Sequence, residues 1–331
     1  MIKLPKDARL FTNSELGDMR RCPRKWYLTN YKKFYQPSET INEAQYTGTL
    51  VHFSVADFYN SDGKQDPLST LTLMAATDRT LQEEMLKGSN DAVRSIIEQN
   101  IETIDKSEEL ALIMVAGYVE WLQEEGADSY LTFISAEEEV AIAFPAEGMP
   151  KAGAHLLAKL DARFLDERSG ARVFMDHKTV QNFADREKWA HLDPQFLFYS
   201  LIDYLMHLDE PDVEFTDGGI INMLRKVKRT ARSKPPFYKR VDVRHSVLEL
   251  KNYFIRVAGE IARIQQAEIS LDMGIDHRMI CPPSPTRDCA WDCRFFQACG
   301  LMDDGSDISM YFEATFKVGN PLRRYEEIDI D

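Results

Sequence analysis

Apolar residues recur at helical spacing through residues 71–87 and 92–123. These stretches are rich in Leu, Met, Ala and Glu with few turn residues, which predicts an insertion of several helices. From about residue 133 the pattern changes. Residues 139–144 read as a strand, 145–148 as a turn and 156–165 as a second strand. Glu167-Arg168-Ser169-Gly170 has turn chemistry, and residues 173–179 follow as a third strand. Short connections make these three an antiparallel meander. Asp193-Pro194 then opens a helix as N-cap and first helical residue, with an apolar face through Leu208. Residues 219–224 are a further strand, and a last long helix runs from Ser246, with Glu249 completing a capping box, to about residue 270. Near the start, residues 11–30 read as a helix capped by Thr12 with Glu15 and either kinked or divided in two at Pro23. Gly48 to His52 reads as a helix start, with His52 on its first turns.

The 331 residues, 44% hydrophobic and 28% charged, have the composition of a globular protein with an ample core. The elements divide into an N-terminal arm (1–47), a helical insertion (48–132), an α/β core (133–280) and a cysteine-rich segment with an acidic tail (281–331). The tail carries Glu326, Glu327, Asp329 and Asp331. No apolar run approaches transmembrane length and the N-terminus lacks a signal-peptide h-region, so no membrane partner and a cytoplasmic location are expected. The formal net charge of -14 requires any nucleic acid to be held by a local basic patch. Residues 225–240 offer one: Arg225, Lys226, Lys228, Arg229, Arg232, Lys234, Lys239 and Arg240, with Phe237 and Tyr238 as stacking rings. Arg20, Arg21, Arg24 and Lys25 would add backbone contacts.

The strand at 173–179 holds the densest chemistry. Alternation puts Phe174, Asp176 and Lys178 on one face and Val173, Met175 and His177 on the other. Asp161 lies on the neighbouring strand, where two carboxylates can share one Mg²⁺ or Mn²⁺. Lys178 would orient an attacking water or neutralise charge on a phosphate. His52 is a further ligand, better suited to Mn²⁺ than to Mg²⁺. Gln195 and Tyr199, four apart on one helix, share a face that could lie over the site. Each piece has a plainer alternative. Asp176 with Lys178 makes a strand-end salt bridge, Asp161 pairs with Arg163 or Lys159, and His52 caps or packs.

The cysteines are at 22, 281, 289, 293 and 299, four of them within nineteen residues. In a reducing compartment such a cluster points to metal or catalysis before disulfides. One partition is a four-thiolate Zn²⁺ site of Cys281, Cys289, Cys293 and Cys299, with Cys22 in the core.

The order G-x-x-x-H (Gly48, His52), a strand aspartate (Asp161), D-x-K (Asp176, Lys178) and Q-x-x-x-Y (Gln195, Tyr199) resembles the PD-(D/E)XK nuclease superfamily. Cys22-Pro23-Arg24-Lys25, paired with a distant three-cysteine group, resembles its RecB-like iron–sulfur branch. That branch includes the CRISPR-associated RecB-like exonucleases, the AddB nuclease domain and stand-alone phage-type exonucleases. The resemblance implies a restriction-endonuclease-like core, a central mixed sheet flanked by helices. It implies His52, Asp161, Asp176 and the His177 backbone carbonyl as metal ligands, Lys178 as catalytic lysine, and Gln195 and Tyr199 as motif-helix residues. It also implies a [4Fe–4S] cluster on Cys22, Cys289, Cys293 and Cys299 that staples the two ends of the chain together. Cys281 is the surplus, and the C-x3-C-x5-C spacing has one residue more than the commonest form. The implied activity is a DNA exonuclease acting on single-stranded ends, with recombination, repair or replication proteins as partners. A DNA-binding or adaptor subunit of little activity is the alternative.

Overall fold

The structure, a computed structural model, describes residues 2–37, 40–145, 147–208, 216, 218–323, 325 and 328–330. Glu326, Glu327 and Asp331 of the acidic tail lie outside the described residues. The chain begins with β1 (Ile2–Leu4) and β2 (Arg9–Thr12), then α1 (Asn13–Arg21), α2 (Pro23–Trp26) and β3 (Phe34–Tyr35). Three helices follow, α3 (Glu43–Asn60), α4 (Pro67–Leu86) and α5 (Asp91–Glu125). Next are β4 (Leu131–Ala143), β5 (Ala154–Asp166), β6 (Ala171–Val180), α6 (Ala184–Trp189) and α7 (Pro194–Met206). β7 (Gly218–Arg225), β8 (Tyr238–Arg244) and α8 (Val247–Asp272) lead to the short helices α9 (His277–Ile280), α10 (Cys289–Asp292) and α11 (Phe296–Leu301).

These elements form two compact units. One comprises Met1–Pro37, Glu139–Ala158 and Leu248–Asp331, the other Ser38–Glu138 and Lys159–Val247. In the first, β2 pairs parallel with the start of β5, Arg9 opposite Ala154. Leu4, Leu10, Leu157 and Tyr325 form a small core there. Thr12 caps α1 by accepting from the Glu15 amide at 3.1 Å, as the sequence predicts. The helix expected over 11–30 is divided in two at Pro23, one of the two outcomes its sequence allows, and it starts later. Phe11 belongs to β2, and Cys22 is extended (φ -159, ψ 108) between α1 and α2, because Pro23 restricts the residue before it to that region. The Glu15 carboxylate does not close a capping box; it pairs with Arg9 and accepts from Trp26 Nε1 at 3.0 Å.

The second unit holds the mixed sheet. β5 pairs antiparallel with β6, β6 parallel with β7, and β7 antiparallel with β8. β4 pairs with β5, so the three consecutive strands are neighbours as expected, with β4 longer than the sequence pattern suggests. Leu50, Val51 and Val55 of α3, with Met114, Val115 and Tyr118 of α5, pack on Ala162, Phe164, Val173 and Met175 of one sheet face. Phe196 of α7 packs with Ile221, Met223 and Val243 in a separate core cluster. The sheet is thus flanked by helices. α3 starts at Glu43, not Gly48, since the Asn42 side chain caps it by accepting from the Gln45 amide at 2.9 Å. His52 consequently lies in mid-helix. Gly48 lets α3 approach the end of β6: a Cβ there would stand 3.3 Å from Thr179 Oγ1.

Behind the sheet lies a polar network no local pattern announces. Arg240 of β8 donates to Asp128 (2.6 Å), to Tyr118 Oη (3.2 Å) and to the Ala127 carbonyl (2.6 Å). Asn222 of β7 donates to Tyr118 Oη and lies 2.9 Å from His177 Nδ1. Tyr59 of α3 bonds Tyr118 and Asp128, both at 2.9 Å. Sheet, α3 and α5 are tied through it. Replacing Arg240 by Leu strands these acceptors in a low-dielectric interior and should cost about 2–3 kcal/mol, read from the urea unfolding midpoint.

Candidate active site and metal centre

β5 and β6 carry the two aspartates on adjacent strands, and a helix approaches each. Asp161 Oδ2 accepts from the His177 backbone amide at 3.0 Å and lies 3.3 Å from His52 Nδ1 on α3. Of the plainer pairings, that of Asp176 with Lys178 is present, while Arg163 and Lys159 have other carboxylate partners. Arg163 reaches Glu138 and Asp203, and Lys159 reaches Glu137. Asp176 is fully buried. Its Oδ1 accepts from Lys178 Nζ at 2.7 Å and from Gln195 Nε2 at 2.9 Å. Its Oδ2 is buried with no hydrogen-bond partner among the described residues. Gln195 Nε2 also donates to Tyr199 Oη (2.6 Å), whose hydroxyl donates to the Lys159 carbonyl at 3.3 Å. Asp193 fixes the start of α7 by capping the Gln195 amide at 3.0 Å. Asp176, Lys178, Gln195 and Tyr199 therefore form one chain of hydrogen bonds. The His177 ring faces the other way, stacked at 6.0 Å on Tyr59, and burial holds its pKa well below the usual histidine range.

Glu137 joins the site, and sequence reasoning missed it. Its carboxylate, with His52 and Asp161, offers ligand atoms within 4.8 Å of one another. Glu137 has a left-handed backbone, φ 53, inside β4. Three successive glutamates, Glu137 to Glu139, are visible in the sequence, but strand alternation does not single out the one that meets His52 and Asp161. Carboxylate oxygens with one imidazole, and a buried carboxylate oxygen lacking a protein donor, suit Mg²⁺ or Mn²⁺.

The basic stretch differs from its sequence reading. Lys228 pairs with Glu109 at 2.5 Å and Arg229 with Glu120 at 2.6 Å, both glutamates being on α5. Arg225 donates to the Lys234 carbonyl. Tyr238 is buried and donates to the Met114 carbonyl at 2.9 Å, and Phe237 packs on the core. Gly117 makes this possible, since a Cβ there would clash with Arg229 and Tyr238. Tyr238 is thus no base-stacking ring: an apolar body and a satisfied hydroxyl place it inside. Lys226, Arg232 and Lys234 make no ion pair among the described residues. Near the N-terminus, Arg20 pairs with Glu260, Arg21 with Asp292, Arg24 with Asp303 and Lys25 with Asp18. Local acidic partners occupy these cations, so a surface of free charges is not what the fold builds there.

Cys22, Cys289, Cys293 and Cys299 line one cavity of about 480 Å³. Cys281 is buried and is not among its lining residues. The sulfurs already receive N–H donors: Cys22 from Ser284 and Cys289 from Thr286, both at 3.4 Å, Cys299 from Arg24 at 3.5 Å, and Cys293 from the Phe295 backbone. Donors aimed at sulfur suit thiolate ligands.

The sequence model of the PD-(D/E)XK nuclease superfamily matches residues 11–300. The chain belongs to this superfamily, whose fold the mixed, helix-flanked sheet fits and whose nucleases use Mg²⁺ or Mn²⁺. No curated protein matches the sequence.

Loss of water first, and repulsion from Asp176 next, push the Asp161 carboxyl up to about 6. Proton and cation compete for it, so Mn²⁺ affinity should weaken about tenfold per pH unit below that point and level off above it. The metal-free fold responds with the opposite sign: its pKa exceeds the unfolded value, so stability present in acid is lost as the pH rises through about 6. Manganese EPR and urea midpoints across the same pH range check both, and Asp161→Asn should flatten each curve.

Proposed function

We propose that the protein is a metal-dependent deoxyribonuclease that removes nucleotides from the ends of single-stranded DNA in recombination, repair or replication processing. The observation that carries this reading is the state of Asp176. One of its oxygens is committed to Lys178 and Gln195, while the other is buried without a protein donor, near Asp161 and its partner His52. His52, Asp161 and Glu137, whose ligand atoms lie within 4.8 Å of one another, would hold Mg²⁺ or Mn²⁺, and Asp176 with the His177 backbone carbonyl would complete its shell. When bound, the cation supplies a Lewis acid for the scissile phosphate and lowers the pKa of a water.

The side chains do the remaining work. Lys178, partly exposed and anchored to Asp176, orients the nucleophilic water and neutralises charge growing on the phosphate. Gln195 fixes the Asp176 rotamer, and Tyr199 fixes Gln195. Lys226, Arg232 and Lys234 are available to the DNA backbone. Lys228 and Arg229 can exchange their exposed glutamate partners for phosphates, because such surface pairs are weak. The helices that carry His52 favour a site threaded by one strand over one that admits a duplex.

Cys22, Cys289, Cys293 and Cys299 would hold a [4Fe–4S] cluster with a structural role. The competing zinc partition requires Cys281, which is not among the cavity-lining residues, and one zinc with thiolates at about 2.3 Å needs far less room.

End-labelled single- and double-stranded DNA, incubated with anaerobically prepared protein and Mg²⁺ or Mn²⁺, tests the activity. Lys178→Ala and Asp176→Ala should each lower the rate on the order of 10²-fold or more while retaining DNA binding. Binding without cleavage under every metal condition would falsify the nuclease reading. For the cluster, Cys22→Ser should lose iron and visible absorbance and Cys281→Ser should keep both; stoichiometric zinc without iron or colour in the wild type, lost in Cys281→Ser but not in Cys22→Ser, would establish the zinc partition.

A further inference from the structure

Arg24 is the basic residue of the cysteine site set apart by burial and by its partners. Its side chain is 3% exposed, although it belongs to a residue type rarely found inside. Nη1 lies 3.5 Å from Cys299 Sγ and donates to the Cys299 carbonyl at 3.1 Å. Both terminal nitrogens clamp Asp303, at 2.7 and 2.8 Å. Arg21 lines the same cavity but is about a third exposed, and its hydrogen bond goes to Asp292 rather than to sulfur. A buried fork with one arm on a thiol sulfur and an aspartate holding it in place exceeds what chain packing requires. A hydrophobic side chain would fill the same space without desolvating a cation.

We propose that Arg24 is a positioning residue for the four-cysteine site, donating an N–H···S hydrogen bond to Cys299 that raises the reduction potential of the bound cluster and slows its loss. The proposal rests on the cluster reading above. Four thiolates around a [4Fe–4S] core carry net negative charge, which increases on reduction. A donor to sulfur therefore stabilises the reduced form more than the oxidised one. Asp303 supplies the second half of the device. It orients the planar guanidinium, and a lysine, with a single ammonium, cannot hold Asp303 in a fork while also meeting the sulfur and carbonyl of Cys299.

The test uses the full chain purified anaerobically as wild type, Arg24→Gln, Arg24→Lys and Arg21→Gln, with iron and zinc per chain measured first. An EPR-monitored redox titration then gives the midpoint potential, and bleaching of the visible absorbance in air gives the cluster lifetime. Arg24→Gln should retain iron, shift the midpoint to more negative potential and bleach several-fold faster. Arg24→Lys should follow it despite the retained charge. Arg21→Gln, which removes the same charge without a sulfur bond, should shift the midpoint less. An unmoved potential in Arg24→Gln, equal shifts in Arg24→Gln and Arg21→Gln, or a wild-type potential in Arg24→Lys would each overturn the sulfur bond while leaving the cluster in place. If Arg24→Gln does not retain a cluster, Asp303→Glu carries the test: it keeps both charges but displaces the anchor of the guanidinium, and should shift the midpoint the same way by less. Zinc in place of iron in wild-type protein sinks the cluster reading and this proposal with it.

Discussion

The structure of the second unit depends on keeping two carboxylates close together on adjacent strands. Like charges at short range in a poorly solvated site repel strongly, and burial adds its own penalty. The chain answers separately for each. Asp176 receives an ammonium and an amide from one side, Lys178 on its own strand and Gln195 on α7. Asp161 receives a backbone amide from β6 and faces an imidazole on α3. The compensation is incomplete, since the Asp161 carboxyl is still pushed up to about 6 and one Asp176 oxygen has no donor. A divalent cation, of the kind nucleases of this superfamily use, would complete the balance beside the Asp176–Lys178 ion pair.

Such a balance holds only if four elements, of which α3 is distant in sequence from the other three, are fixed relative to one another. β5 and β6 are fixed by their ladder, and α7 by its Asp193 cap and the core around Phe196. α3 needs more, because its histidine must meet an aspartate across a packed interface. Gly48 allows the approach and Tyr59 anchors the far end of the helix in the Arg240 network. His177 serves both sides of the strand. Its backbone amide holds Asp161, while its ring, kept neutral by burial, sits beside Asn222 in the network behind.

These dependencies explain what could be read in advance. D-x-K and Q-x-x-x-Y are local: strand alternation and helical spacing alone put Asp176 with Lys178, and Gln195 with Tyr199. The Asp193 cap and the three-helix insertion are legible for the same reason. Glu137 is not, because strand alternation does not single it out within a run of three glutamates. The basic stretch misleads for another reason. Counting its cations ignores Glu109 and Glu120, more than a hundred residues earlier, which take up Lys228 and Arg229 in the fold. Arg240 belongs to that same run of charge by sequence and to the interior by structure.

The cysteine site shows the opposite case, a long-range feature announced by a short motif. Pro23 forces Cys22 into an extended conformation between two helical segments, so the thiol is presented at a chain break. Arg24 follows and binds the segment that carries Cys299. The unit to which they belong is assembled from three separate stretches of chain, and its ends are far apart in sequence. Closing so long a loop is entropically costly, and the proposed ligand, held by thiolates from both ends, would recover that cost in the folded state. Arg24 makes the same junction without the metal, through hydrogen bonds to the Cys299 carbonyl and to Asp303. The Arg24 joint brings Cys299 to the cavity that Cys22 lines, so the thiolates would need little rearrangement to take up the proposed ligand.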